Sequence, residues 1–266
     1  MINTTLYLRG MKGSLRLLAV LAAVITMYVT IIISMYDPEL MATLDGFVEL
    51  MPELMAAVGM DSGANNLLEF MISYLYGFIL LIFPMVFAIL RGNGLVAKYV
   101  DEGSMAALIA APVRRTTVAL TQAAVLVSGT VILLGYATAV ELVSVAAMFP
   151  GEVAAADLLR VNGALFCLQF FIGGICLLAS CLFSDTRYSL GFGAGLPVLA
   201  YVLNMLANVG GDAEKAKYFT FFTLFAPSGI AAGESAAWAG AAVLLAAGAV
   251  LYALAVGVFA RKDLSI

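Results

Sequence analysis

The chain has 266 residues, of which 64% are hydrophobic and 11% charged, and its mean hydropathy is +1.06. About a quarter of the residues of a soluble domain are charged, so this composition excludes a water-soluble globular protein. The net charge of −4 and the pI near 4.8 lack the basic footprint that nucleic acid requires, so no nucleic acid partner is expected.

A helix must run about 20 apolar residues to cross a hydrocarbon layer ~30 Å thick. Six segments satisfy this, predicting spans over 17–36, 70–90, 116–148, 161–184, 188–211 and 235–260. The expected fold is an all-α integral membrane protein, a single domain of six transmembrane helices. No further soluble catalytic domain is expected among the remaining residues.

The thirteen Lys and Arg residues fix the expected orientation. With the N-terminus inside, Arg9, Lys12, Arg16, Arg91, Lys98, Arg114, Arg115, Arg187, Arg261 and Lys262 are cytoplasmic. Only Arg160, Lys215 and Lys217 are outside. That asymmetry follows the positive-inside rule and makes both termini cytoplasmic. The first apolar segment is longer than a signal-peptide core and lacks a small-residue cleavage site, so it is expected to remain as a span.

In chain order, residues 1–16 place Arg9, Lys12 and Arg16 on one helical face beside Leu8, Met11 and Leu15. This spacing predicts a cytoplasmic helix lying on the membrane surface, or an ordinary basic flank. The first outer loop, 37–69, carries Asp37, Glu39, Asp45, Glu49, Glu53, Asp61 and Glu69 with no Lys or Arg. It reads as a solvated acidic loop or a cation-attracting vestibule, without the spacing of an EF-hand.

Residues 91–115 form a cytoplasmic loop with Leu95, Val96, Tyr99 and Val100 at helical spacing. It is too polar to span and too patterned for a bare connector, which makes it the candidate docking segment. In the third span, Glu141 lies about 38 Å from the inner edge, which predicts a place at the outer interface rather than a proton relay.

The three cysteines, Cys167, Cys176 and Cys181, fall in the fourth span and read as buried thiols. Gln169 lies near mid-span, where an amide either bonds a neighbouring helix or lines a pathway, and it is the candidate pathway residue. Gly173 and Gly174, and then Gly191 and Gly195 ahead of Pro197, read as helix-packing positions. Residues 212–234, with the run Tyr218 to Ala226 followed by Pro227, predict a re-entrant or interfacial outer element.

Catalytic chemistry is sparse. The chain has no histidine, so no histidine-assisted nucleophile or HExxH zinc site forms, and it has no Gly-Lys dipeptide for a Walker A loop. No pair of carboxylates falls inside the spans, which removes an intramembrane aspartyl protease. The chain is not expected to be an enzyme by itself, and no metal or cofactor is expected in it.

The stretch Glu102, Gly103, Ser104 to Leu108, followed by Pro112, Val113, Arg114 and Arg115, resembles the loop between spans two and three of type-2 ABC transporter permeases. The C-terminal Phe259, Arg261, Lys262, Asp263 and Leu264 are similar to the endings of these permeases. The resemblance extends to the order of six spans, surface helix, loop and outer element.

It implies a type-2 ABC permease-like bundle whose coupling helix docks on separately encoded cytosolic ABC ATPase subunits. ATP and Mg would bind to that partner. Glu102, Gly103, Ser104, Pro112, Arg114 and Arg115 are then the expected ATPase-docking residues, with a second permease copy or paralogue completing the pathway. The expected function is export of a hydrophobic or amphipathic cargo such as a drug, peptide or lipid, across the bacterial or archaeal cytoplasmic membrane. A membrane anchor or assembly subunit without transport is the alternative, and a membrane-embedded enzyme is a third.

Overall fold

A computed structural model describes residues 2–37, 50–57, 66–101 and 113–262. Glu102, Gly103, Ser104 and Pro112 lie outside the described residues, as do Glu39, Asp45, Glu49 and Asp61. Among the described residues all regular structure is helical. Six helices are long and apolar enough to cross a membrane: α1 (Thr4–Ser34), α2 (Leu67–Asp101), α3 (Arg115–Met148), α4 (Ala155–Leu182), α5 (Thr186–Asn208) and α6 (Ser235–Arg261).

Side chains at the helix starts set several boundaries. Asn3 Oδ1 accepts from Leu6 N at 3.0 Å, Asn66 Oδ1 from Glu69 N at 2.9 Å, and Asp185 Oδ1 from Arg187 N at 2.6 Å. Each satisfies an N–H that the helix itself leaves without a partner. The segment expected as a separate surface helix is instead the opening of α1, which runs unbroken for 31 residues. At ~1.5 Å per residue it is about 46 Å long, more than the hydrocarbon layer requires, so its basic first turns extend beyond the apolar part.

The chain packs around α4, which is the most buried span and touches α2, α3, α5 and α6. Lipid gives helices little hydrophobic reason to associate, so close contact and hydrogen bonds must hold them together. The α4–α6 crossing is made of glycines. A Cβ on Gly248 would sit 2.6 Å from Phe170 Cδ1 and 3.1 Å from Phe171 Cα, and one on Gly174 would sit 3.0 Å from Leu251 Cβ. Gly173 faces the Tyr252 hydroxyl, 2.5 Å from where its Cβ would be. Gly191 and Gly195, by contrast, meet no described atom within 4 Å, so no helix described here packs on them.

On α1 the buried residues Gly10, Ser14, Leu18, Leu21, Ile25, Val29 and Ile33 form the stripe that meets α3. Tyr7 Oη bonds Ser128 Oγ at 2.9 Å, and Asn3 N donates to Thr121 Oγ1 at 3.0 Å across that contact. At the basic end of the bundle, Lys262 Nζ donates to the Cys181 and Leu182 carbonyls, both at 3.0 Å, and Arg115 Nη1 donates to the Lys262 carbonyl at 2.7 Å. These bonds join the start of α3 to the ends of α4 and α6. Removal from water lowers the Lys262 pKa, although the nearby Cys181 opposes this.

Candidate functional site

Two features of α2 shape the far end of the bundle. Residues Ile72–Ile79 are π-helical, ending with Leu80 N–H bonded back to the Leu75 carbonyl. Pro84 then removes one donor from the following turn. A π segment re-aims side chains relative to an α-helix and recurs at functional sites. Here Ser73, Tyr76 and Gly77 line a cavity of about 300 Å³.

The opposite walls of the cavity come from Asn204 and Asn208 near the end of α5, and from Phe222, Thr223, Phe225, Pro227 and Ser228. The segment carrying the latter group, predicted as a re-entrant or interfacial element, turns back against the bundle. Tyr218 and Phe219 are 78% exposed, whereas Phe222 and Phe225 are buried. Thr220 Oγ1 donates to the Ala200 carbonyl at 2.7 Å, Phe221 meets Phe171 edge-on at 4.9 Å, and Phe222 meets Tyr201 at 5.4 Å. A Cβ on Gly240 would fall 2.5 Å from the Leu224 carbonyl oxygen, so the glycine lets α6 approach this segment.

The cavity's polar side chains are hydroxyls and amides with no formal charge. Such a lining can hydrogen-bond the polar part of a ligand without requiring a counter-ion. A carboxylate lies immediately behind it. Glu141 is 0% exposed, and its Oε2 accepts from Tyr76 Oη at 3.0 Å and from Asn162 Nδ2 at 2.7 Å. Asn162 Nδ2 also approaches Tyr76 Oη at 2.6 Å and the Leu158 carbonyl at 3.0 Å. Among the described residues, Glu141 Oε1 and Asn162 Oδ1 have no hydrogen-bond partner.

Glu141, expected near the outer end of the span from its distance along α3, is enclosed by protein there. Counting residues gives depth but not the face on which a side chain emerges. Its neighbours on that face, Ala137, Thr138, Ser144 and Val145, are all buried. Thr138 hides its hydroxyl by donating to the Leu134 carbonyl at 2.8 Å.

Gln169, the candidate pathway residue, is 0% exposed and donates from Nε2 to the Leu81 carbonyl at 2.9 Å. It braces α4 against the Pro84 turn of α2 and is not among the cavity-lining residues. Of the expected docking residues, Arg114 is exposed just before α3, and Arg115 is engaged with Lys262. Tyr76, Asn162, Asn204 and Asn208 were not singled out by the sequence. The i, i+4 pair Asn204 and Asn208 in an apolar helix is the signal that points to them.

The fold defines the class: a six-helix bundle with the length and apolarity of a multi-pass membrane protein. No protein-family model matches the chain, and no curated protein matches it.

Proposed function

We propose that this chain is the transmembrane permease subunit of an ATP-driven exporter of the type-2 ABC kind, paired with a second permease and with separate cytosolic ATPase subunits. The observation that carries the reading is the cavity between α2, α5 and the returning segment. It lies at the end of the bundle opposite the basic loops, where an exported cargo would leave. The loop resemblance supplies the ATPase, and the uncharged polar lining favours an amphipathic cargo.

In this reading, ATP-driven closure of the ATPase subunits moves the loop between α2 and α3. The clasp of Arg115, Lys262 and the end of α4 carries that movement to three helices together. The bundle then rocks between two states that differ at the cavity. The π segment and the Pro84 turn are the part of α2 most able to repack, because their ladder is already irregular.

The test is ATP-dependent efflux of a fluorescent amphipathic probe from proteoliposomes holding the copurified complex. Asn204→Trp, which fills the cavity, should abolish efflux while ATPase association persists. Unchanged efflux in that variant would remove the cavity from the pathway.

A further inference from the structure

We infer that the basic end of the bundle holds the phosphate of an anionic phospholipid at the cleft between α1 and α2, centred on Arg91. Arg91 Nη2 donates to the Gly10 carbonyl at 2.6 Å, and that carbonyl also accepts from Ser14 Oγ at 3.0 Å. One edge of the guanidinium is thus fixed against the α1 backbone. Nη1 and the second N–H of Nη2 remain on the side of Gly13, while Nε is buried with no hydrogen-bond partner among the described residues. A planar guanidinium held in this way offers parallel N–H groups to a phosphate or carboxylate.

Gly13 makes the guanidinium approachable. A Cβ at Gly13 would lie 3.4 Å from Arg91 Nη2 and 3.6 Å from Nη1, and Gly13 itself is exposed. Arg9, Lys12 and Arg16 are also exposed, and they project from the face of α1 that Gly13 shares, at intervals of three and four residues. No carboxylate among the described residues pairs with any of these four basic side chains. A simple positive flank would need neither the anchored guanidinium nor the glycine beside it.

An anchored guanidinium at the cleft, with three exposed cations on the same end of α1, favours an anion, and basic pockets between spans at a membrane surface take acidic headgroups. A lipid is favoured over free phosphate because apolar side chains continue from the cleft: Val20 on α1 is 61% exposed and Leu90, next to Arg91, is 52% exposed. These lie where acyl chains would run below the headgroup.

The experiment measures lipid binding to the purified chain in detergent by native mass spectrometry, with phosphatidylglycerol and phosphatidylcholine as probes. Thermal melting runs in parallel. Phosphatidylglycerol should bind at least tenfold more tightly than phosphatidylcholine. Arg91→Gln should weaken phosphatidylglycerol about fivefold or more, as expected from one lost charge near the surface. Gly13→Leu keeps every charge but covers the guanidinium, and should give a similar loss with lipid-free melting unchanged. Equal affinity for the two lipids, or full binding in Gly13→Leu, would overturn the site. Displacement of the lipid by millimolar inorganic phosphate would overturn its assignment to a lipid.

Discussion

Tyr76 Oη donates to Glu141 Oε2 at 3.0 Å, joining the π-helical stretch of α2 to the far end of α3. Asn162 on α4 donates to the same carboxylate oxygen at 2.7 Å. Three helices therefore meet on one atom directly behind the cavity. Removing the carboxyl leaves two buried donors without their acceptor, whereas an amide retains an acceptor oxygen. Glu141→Ala is expected to cost about 3 kcal/mol, and Glu141→Gln about 1 kcal/mol or less. Thermal melting in detergent checks both. Equal loss in the two variants would show that charge, not acceptance, holds the three helices.

At the α4–α6 crossing, Gly248 has no room for a side chain because backbone lies at 3.1 Å. Gly248→Leu should separate the helices and cost about 3 kcal/mol as an overpacked contact. Gly191→Ala and Gly195→Ala enter open space within this chain. They should leave the melting of the isolated chain unchanged or raise it slightly, since Ala exceeds Gly in helix propensity by ~1 kcal/mol. Circular-dichroism melts of the three variants test the contrast.

If the chain is an exporter subunit as proposed, Gln169 and Asn204 should separate stability from transport. Gln169→Leu loses the bond to the Leu81 carbonyl and should destabilise by about 1 kcal/mol, without changing which probes are transported. Asn204→Ala removes a cavity-lining amide and should alter transport rates between probes with little effect on melting. Parallel efflux and melting assays read both, and a change of probe preference in Gln169→Leu would place that residue in the pathway.

In the exporter reading, Arg114→Glu should weaken association with an ATPase partner while leaving melting unchanged, because the side chain is exposed at the loop exit. Glu102→Lys should do the same if the loop is the docking segment. Lys262→Met removes the donor to two carbonyls at the end of α4 and should lower melting as well as coupling. Pull-down with the ATPase, scored beside melting, distinguishes docking from clasp.

The spans were legible because hydrocarbon thickness imposes a minimum apolar length on every crossing helix, whatever its function. Their ends were less so. α4 begins at Ala155, six residues before the predicted start, and takes in the charged Asp157 and Arg160, which pair at 2.9 Å across one helical turn. α1 extends through Arg9, Lys12 and Arg16 in the same way: charged side chains end an apolar segment without ending a helix.

The site was mostly hidden. Glu141 stands out in an apolar span, but its partners Tyr76 and Asn162 lie 65 and 21 residues away, and no short-range pattern links them. The π segment left no mark in composition. The outer aromatic run was visible as an anomaly because it is too short to span, and its return against α5 is what completes the cavity.

The most direct measurement is purification of the chain from its native membrane in mild detergent, with copurifying polypeptides identified and ATP hydrolysis assayed. A permease subunit should bring down a P-loop ATPase in stoichiometric amount, with hydrolysis that responds to amphipathic compounds. Reproducible absence of any ATPase from an intact, monodisperse bundle would contradict the exporter reading and favour an anchoring or assembly role.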